Sequence, residues 1–125
     1  MAPPEGRQRA ERRGRRAERL AAWLLRLKGY RILARRYRTP VGEVDLIACR
    51  GRTIAFVEVK QRPSFAEGAE AVTPATRRRI VRAASLRLSA RPAAAGLVLR
   101  FDVIICVSHR LPRHIVSAFD AEGAA

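Results

Sequence analysis

The stretch Gly42–Arg62, GEVDLIACRGRTIAFVEVKQR, decides how the rest of the chain is read. Two apolar runs rich in β-branched residues flank an Arg-Gly-Arg break, the pattern of a β-hairpin. Glu43, Asp45, Glu58 and Lys60 interrupt runs that otherwise read as buried strand. Burying ionised groups is costly unless they are paired or bind a metal. The charges therefore mark a candidate site.

Side chains alternate along a strand, so Glu43, Asp45 and Ile47 share one face of the first run. Phe56, Glu58 and Lys60 share a face of the second. A two-residue turn at Gly51-Arg52, with Gly first, suits type II′ and sets Asp45 opposite Glu58. The alternative turn, Arg50-Gly51, sets Glu43 opposite Glu58 and keeps all the charged groups on one face. A three-residue turn would send Asp45 and Glu58 to opposite faces and remove the site. Ionised carboxylates directly across from one another repel. A divalent cation between them relieves the repulsion, and Mg²⁺ accepts a few carboxylates with water and phosphate oxygens filling its remaining positions.

The chain's 26 Lys+Arg against 11 Asp+Glu give a formal charge of +15, which implies a polyanionic partner, nucleic acid before acidic membrane. Only Lys28 and Lys60 are lysines, so a lysine beside two acids suggests that a compact ammonium is needed there. Cys49 and Cys106 match neither a disulfide framework nor a zinc spacing and read as free thiols. No apolar run approaches transmembrane length, and the basic amino terminus lacks a signal-peptide core. A cytoplasmic location is expected.

At 125 residues a single domain is expected, over 10–119, with a disordered basic arm at 1–9 and a disordered tail at 120–125. The periodicity predicts a helix from about Ala10 to Lys28, stopped by Gly29. Glu18 falls at the edge of its apolar stripe, where it either pairs with a surface Arg or points inward at the hairpin acids. Tyr30–Arg38 reads as a first strand and Gln61–Thr73 as a loop. Thr73 looks like an N-cap with Pro74 at the first position of a helix to about Ala90. Arg77, Arg78, Arg79 and Arg82 near its start are either a solvated face or phosphate contacts. Arg91–Gly96 is a linker, and Leu97–Ser108 should be a central strand. Its Asp102 reads as a buried acid paired with an Arg or a backbone donor. His109 and His114 have no partner at catalytic spacing and are left structural, and His114–Phe119 forms a short final strand or helix.

This layout, α-β-β-β-α-β-(β), is an α/β fold with one mixed sheet flanked by two helices. Asp45 with the Glu58-Val59-Lys60 triplet resembles the PD-(D/E)xK nuclease superfamily, whose core is restriction-endonuclease-like. The chain resembles more closely the YraN-like family of uncharacterised bacterial proteins. That family shows G-E-[IV]-D-L-I-A, then F-V-E-V-K-x-R, then R-F-D-V, matched here by Gly42–Ala48, Phe56–Arg62 and Arg100–Val103. Glu18, Lys28-Gly29-Tyr30 and Ala118-Phe119 also fit, so the match runs from about Gly14 to Phe119. Ala17-Glu18 stands where the family has Gly-Glu, and Thr76 where it commonly has a lysine.

The resemblance implies a metal-dependent endonuclease acting on nucleic acid, DNA in the first instance. Asp45 and Glu58 would bind Mg²⁺ or Mn²⁺, with the Val59 carbonyl and, through water, Glu18. Lys60 would serve the attacking water or the charge growing on phosphorus. Glu43 would support these groups from behind or salt-bridge to an arginine, the first being favoured. Gln61 would support them likewise, and Arg62 with the arginines of the second helix would hold the phosphate backbone. The helix glutamate is similar to that of archaeal Holliday-junction resolvases, which makes branched DNA a candidate substrate. A nucleic-acid-binding module that keeps this fold without turnover is the alternative.

Overall fold

The computed structural model describes residues 5–91 and 96–122, with side chains described from residue 14 onward, apart from 92–95. The order is α1 (Glu5–Leu27), β1 (Arg31–Arg38), β2 (Glu43–Arg50), β3 (Thr53–Gln61), α2 (Phe65–Glu70), α3 (Pro74–Ser89), β4 (Val98–Cys106) and β5 (Arg113–Phe119). The strands form one five-stranded sheet in the order β1-β2-β3-β4-β5. Only β3 and β4 pair in parallel, joined by the α2–α3 crossover, so the sheet is mixed.

Each strand of the hairpin is buried on both sides because a helix covers each face of the sheet. Ala17, Ala21 and Leu25 of α1 pack on Leu46, Ala48, Ala55, Val57 and Ile104. Ile80 and Ala84 of α3 pack on Ile47, Phe56 and Phe101 of the other face. Thr73 caps α3 by accepting the Thr76 N–H at 3.2 Å, with Pro74 in the first turn, as the sequence implies.

Two expectations are corrected. Helix α1 begins at Glu5, so the part of the basic arm from residue 5 is helical; residues 1–4 lie outside the described residues. The segment expected as loop between β3 and α3 holds a short helix, α2, started by Ser64, whose hydroxyl accepts the Glu67 N–H at 3.1 Å and meets the Glu67 carboxylate at 2.9 Å. This serine N-cap is local and was legible in Ser64-x-x-Glu67. Gly68 lets α2 press on β4, since a Cβ there would lie 2.3 Å from Ile105 Cγ2. Of the tail, Asp120–Glu122 is described as turn and coil, and 123–125 lies outside, as does 92–95 of the linker. Both cysteines are free, Cys106 buried and Cys49 half-buried. Among the described residues no helix is long and apolar enough to cross a membrane.

Candidate functional site

The hairpin turn settles the register. Arg50 pairs with Thr53, so Gly51-Arg52 is the two-residue loop. Gly51 alone of the two has a positive φ, +60°, as a II′ turn requires. The Arg50-Gly51 alternative is excluded. The β2–β3 ladder then runs back from the turn to Leu46↔Val57 and stops, leaving Asp45 abreast of Glu58 just past the last pair.

The strands part at that point because each follows its other neighbour. β2 stays with β1 through Val44↔Tyr37 and Glu43↔Arg38, while β3 stays with β4 through Gln61↔Cys106. The Val59 N–H that would otherwise face β2 is taken by the Asp45 side chain, Oδ2 accepting it at 2.8 Å. This bond fixes the Asp45 carboxylate at the mouth of the notch. Glu58 stands beside it and is only 8% exposed. Burial first, and then the adjacent Asp45 carboxylate, push the Glu58 carboxyl up to about 9; Lys60 opposes the shift and Glu43 adds to it. Lys60 Nζ lies 3.7 Å from Glu58 Oε2. The structure thus brings together Asp45, Glu58 and Lys60.

Other expected members take different partners. Glu18 Oε2 accepts from Arg36 Nε at 2.7 Å, the surface pairing of the two options its position left open. Arg36 itself lies between the pairs Arg35↔Leu46 and Tyr37↔Val44, abreast of Asp45, with a left-handed φ of 49°. It borders the site, yet nothing distinguishes it within the Arg-rich β1 sequence. Glu43 does not stand free behind the acids: Arg38 Nη1 at 3.1 Å and Arg79 Nη2 at 3.0 Å hold its two oxygens. Gln61 ends β3, and its buried Oε1 has no hydrogen-bond partner among the described residues.

The arginines divide in the same way. Arg77 Nε donates to the Val72 carbonyl at 3.2 Å and its guanidinium covers the Phe119 ring, so it ties α3 to β5. Arg79 holds Glu43. Arg62 is exposed and its Nη1 donates to the Gln61 carbonyl at 2.8 Å. Arg78 and Arg82 are exposed, with no partner among the described residues.

A second polar cluster lies on the α1 side of the sheet. Asp102 is fully buried and accepts from Arg100 Nε and Nη2, at 2.9 and 2.8 Å. It also meets His114 Nε2 at 2.8 Å and accepts the Ser117 N–H at 3.0 Å. Ser117 sits at φ 53° where the β4–β5 register slips between Phe101 and Val103, so Asp102 satisfies a donor released by a bulge. Lys28 Nζ lies 2.8 Å from His114 Nδ1, and Arg100 Nη2 also donates to the Tyr30 hydroxyl. With Lys28 donating to Nδ1, His114 carries its proton on Nε2 toward Asp102. Burial would raise the Asp102 carboxyl, but the bonds from His114, Arg100 and Ser117 outweigh it and hold it below the usual range. The expected pairing of Asp102 is present; the joining of Lys28, Tyr30 and His114 to it is long-range, and no local pattern announces it.

The notch offers two carboxylates, and among the described residues no group of three or more His, Cys, Asp or Glu is arranged to hold a metal ion. Two hard oxygen donors beside a cationic surface suit Mg²⁺ or Mn²⁺, which takes one or two carboxylates and completes its shell with water and phosphate oxygens. The donor set fits such an ion.

Known proteins match this chain over nearly its whole length. A UPF0102 protein of Chelativorans sp. (strain BNC1) is 53% identical over 115 residues, 92% of this chain and 93% of the relative. One from Bradyrhizobium diazoefficiens is 50% identical over 97% of this chain and 98% of its own. A third, from Bradyrhizobium sp. (strain ORS 278), is 54% identical over 96% and 84%. The profile of the uncharacterised protein family UPF0102 matches residues 17–106, which span every strand-borne acid described above. The chain belongs to the UPF0102 family.

Proposed function

We propose that this protein is a metal-dependent endonuclease that hydrolyses phosphodiester bonds of nucleic acid, with DNA, including branched DNA, as its substrate class. The observation that carries the reading is the notch itself: Asp45 and Glu58 abreast where β2 and β3 part, with Lys60 alongside. Two carboxylates crowded together in a chain of charge +15 have their most economical use as the seat of a divalent cation facing a polyanion.

Asp45 and Glu58 would hold Mg²⁺ or Mn²⁺, which when bound supplies an activated water and draws charge from the scissile phosphate. The Val59 N–H keeps the Asp45 carboxylate in place, so that ligand is oriented before any ion arrives. Lys60, on the same strand face as Glu58, orients the attacking water or offsets the charge that grows on the phosphoryl oxygens. Glu18 would contribute through water while Arg36 holds its Oε2. Arg62, Arg78 and Arg82 supply backbone affinity without sequence preference.

The test is nicking of branched and single-stranded DNA by purified protein with Mn²⁺ or Mg²⁺. Cleavage should require the ion, and Asp45→Asn should abolish it while DNA binding is kept. Cleavage that survives Asp45→Asn would remove the assignment. Binding without turnover in the wild type would leave the non-catalytic module.

A further inference from the structure

The outward face of α1 carries a feature that neither the notch nor the fold uses. Ala17, Ala21 and Leu25 turn the inner face of the helix onto the sheet and are almost fully buried. On the opposite side stands Trp23, the chain's single tryptophan, 65% exposed. At 100° per residue Arg19 and Arg26 flank it on one side and Leu20 and Leu27 on the other, with Arg16 two turns before it and nearly in line. All are exposed, and the three guanidinia have no partner among the described residues. An indole on a water-facing helix, ringed by unpaired cations, is not packing.

We infer that this face is a stacking platform for unpaired bases of single-stranded nucleic acid, with Trp23 against a base and Arg16, Arg19 and Arg26 on the adjoining phosphates. Three occupants are physically open, and charge decides among them. A second copy of the chain would bring the same unpaired guanidinia against each other, and Glu18, the acid of α1 whose side chain is described, is turned to Arg36. A lipid surface needs a broad apolar face, whereas here three exposed apolar side chains, Leu20, Trp23 and Leu27, lie among Arg16, Arg19 and Arg26. Single-stranded nucleic acid offers both a π-face for the indole and anions for the arginines. From Arg16 to Arg26 the helix runs about 15 Å, room for a short run of nucleotides. The site lies on the far side of α1 from the Asp45–Glu58 notch, so it binds a different segment of the polymer from any that is cut. The inference does not depend on that notch.

Trp23 reports on itself. Titrating the full chain with oligo(dT) in EDTA, where no metal-dependent turnover can occur, should quench tryptophan fluorescence, and added salt should reverse the quenching. Trp23→Ala should weaken binding of a labelled oligo(dT) by about 5- to 100-fold, with Trp23→Phe retaining part of the affinity. Since the side chain is largely exposed, the Ala variant should keep the wild-type melting temperature. Three results would overturn the platform: oligo(dT) binding that leaves the emission unchanged, a blue shift confined to anionic phosphatidylserine vesicles, or a blue shift that follows protein concentration alone. Loss of nicking with quenching retained would count against the nuclease reading and leave this one standing.

Discussion

Glu58 is the residue at which burial and chemistry conflict most directly. Its carboxyl titrates near 9 in the folded chain against an ordinary 4.5, so between those values the folded state holds a proton that the unfolded state releases. The unfolded state therefore binds fewer protons, and stability of the metal-free protein should fall as pH rises through this window. Glu58→Gln should flatten that dependence and stabilise the metal-free protein by about 1–2 kcal/mol near pH 8 in denaturant melts. It should also remove any Mn²⁺-induced rise in melting temperature. An unchanged pH profile in the variant would mean that another group sets it. Asp102 behaves in the opposite way. Its lowered carboxyl contributes stability above its unfolded value, and that contribution is lost as pH falls through the folded one. Asp102→Ala would leave Arg100 and the His114 and Ser117 donors without their acceptor. It should cost about 3–5 kcal/mol in urea unfolding, a loss too large for a surface ion pair.

Gly42 governs how α3 meets the hairpin. A Cβ there would lie 1.9 Å from the Arg79 carbonyl oxygen, a backbone atom that cannot turn aside. The same approach sets Arg79 Nη2 on Glu43, and Thr39 closes the loop by accepting the Gly42 N–H at 3.0 Å. Gly42→Ala should therefore push α3 outward and cost about 1–3 kcal/mol, whereas Gly51→Ala acts only through the positive φ of an open turn. Comparing the two variants by thermal melting separates close approach from backbone strain. The glycine at the head of the Gly-Glu-Val-Asp run is thus a packing residue.

Taken as a whole molecule, the excess of positive charge is not evenly available. Arg77 and Arg100 are bound into the fold, and Arg79 and Arg36 hold glutamates. Arg78 and Arg82 remain open to solvent. Affinity for duplex DNA should fall steeply with salt, and Arg78→Ala or Arg82→Ala should each reduce the slope of log K against log[salt] by about 1 if that residue meets a phosphate. Arg77→Ala should instead lower stability, because it frees the Val72 carbonyl and uncovers Phe119. Slopes unaltered in both exposed variants would place the nucleic-acid surface elsewhere.

Alternation, turn chemistry and caps act over a few residues, so the sequence alone determined the hairpin, the Thr73 start of α3, the stop at Gly29 and the pairing expected of Asp102. It left the turn open between two two-residue choices and a three-residue one, of which Gly51-Arg52 brings Asp45 abreast of Glu58. What needed the tertiary structure was everything that depends on which distant groups arrive at the same place. The parting of β2 and β3 follows from their outer partners. Glu18 goes to Arg36, Glu43 to Arg38 and Arg79, and Lys28 to His114. In a chain so rich in arginine, local pattern cannot say which guanidinium reaches which acid, because many have the charge and only the folded path of the backbone gives the distance.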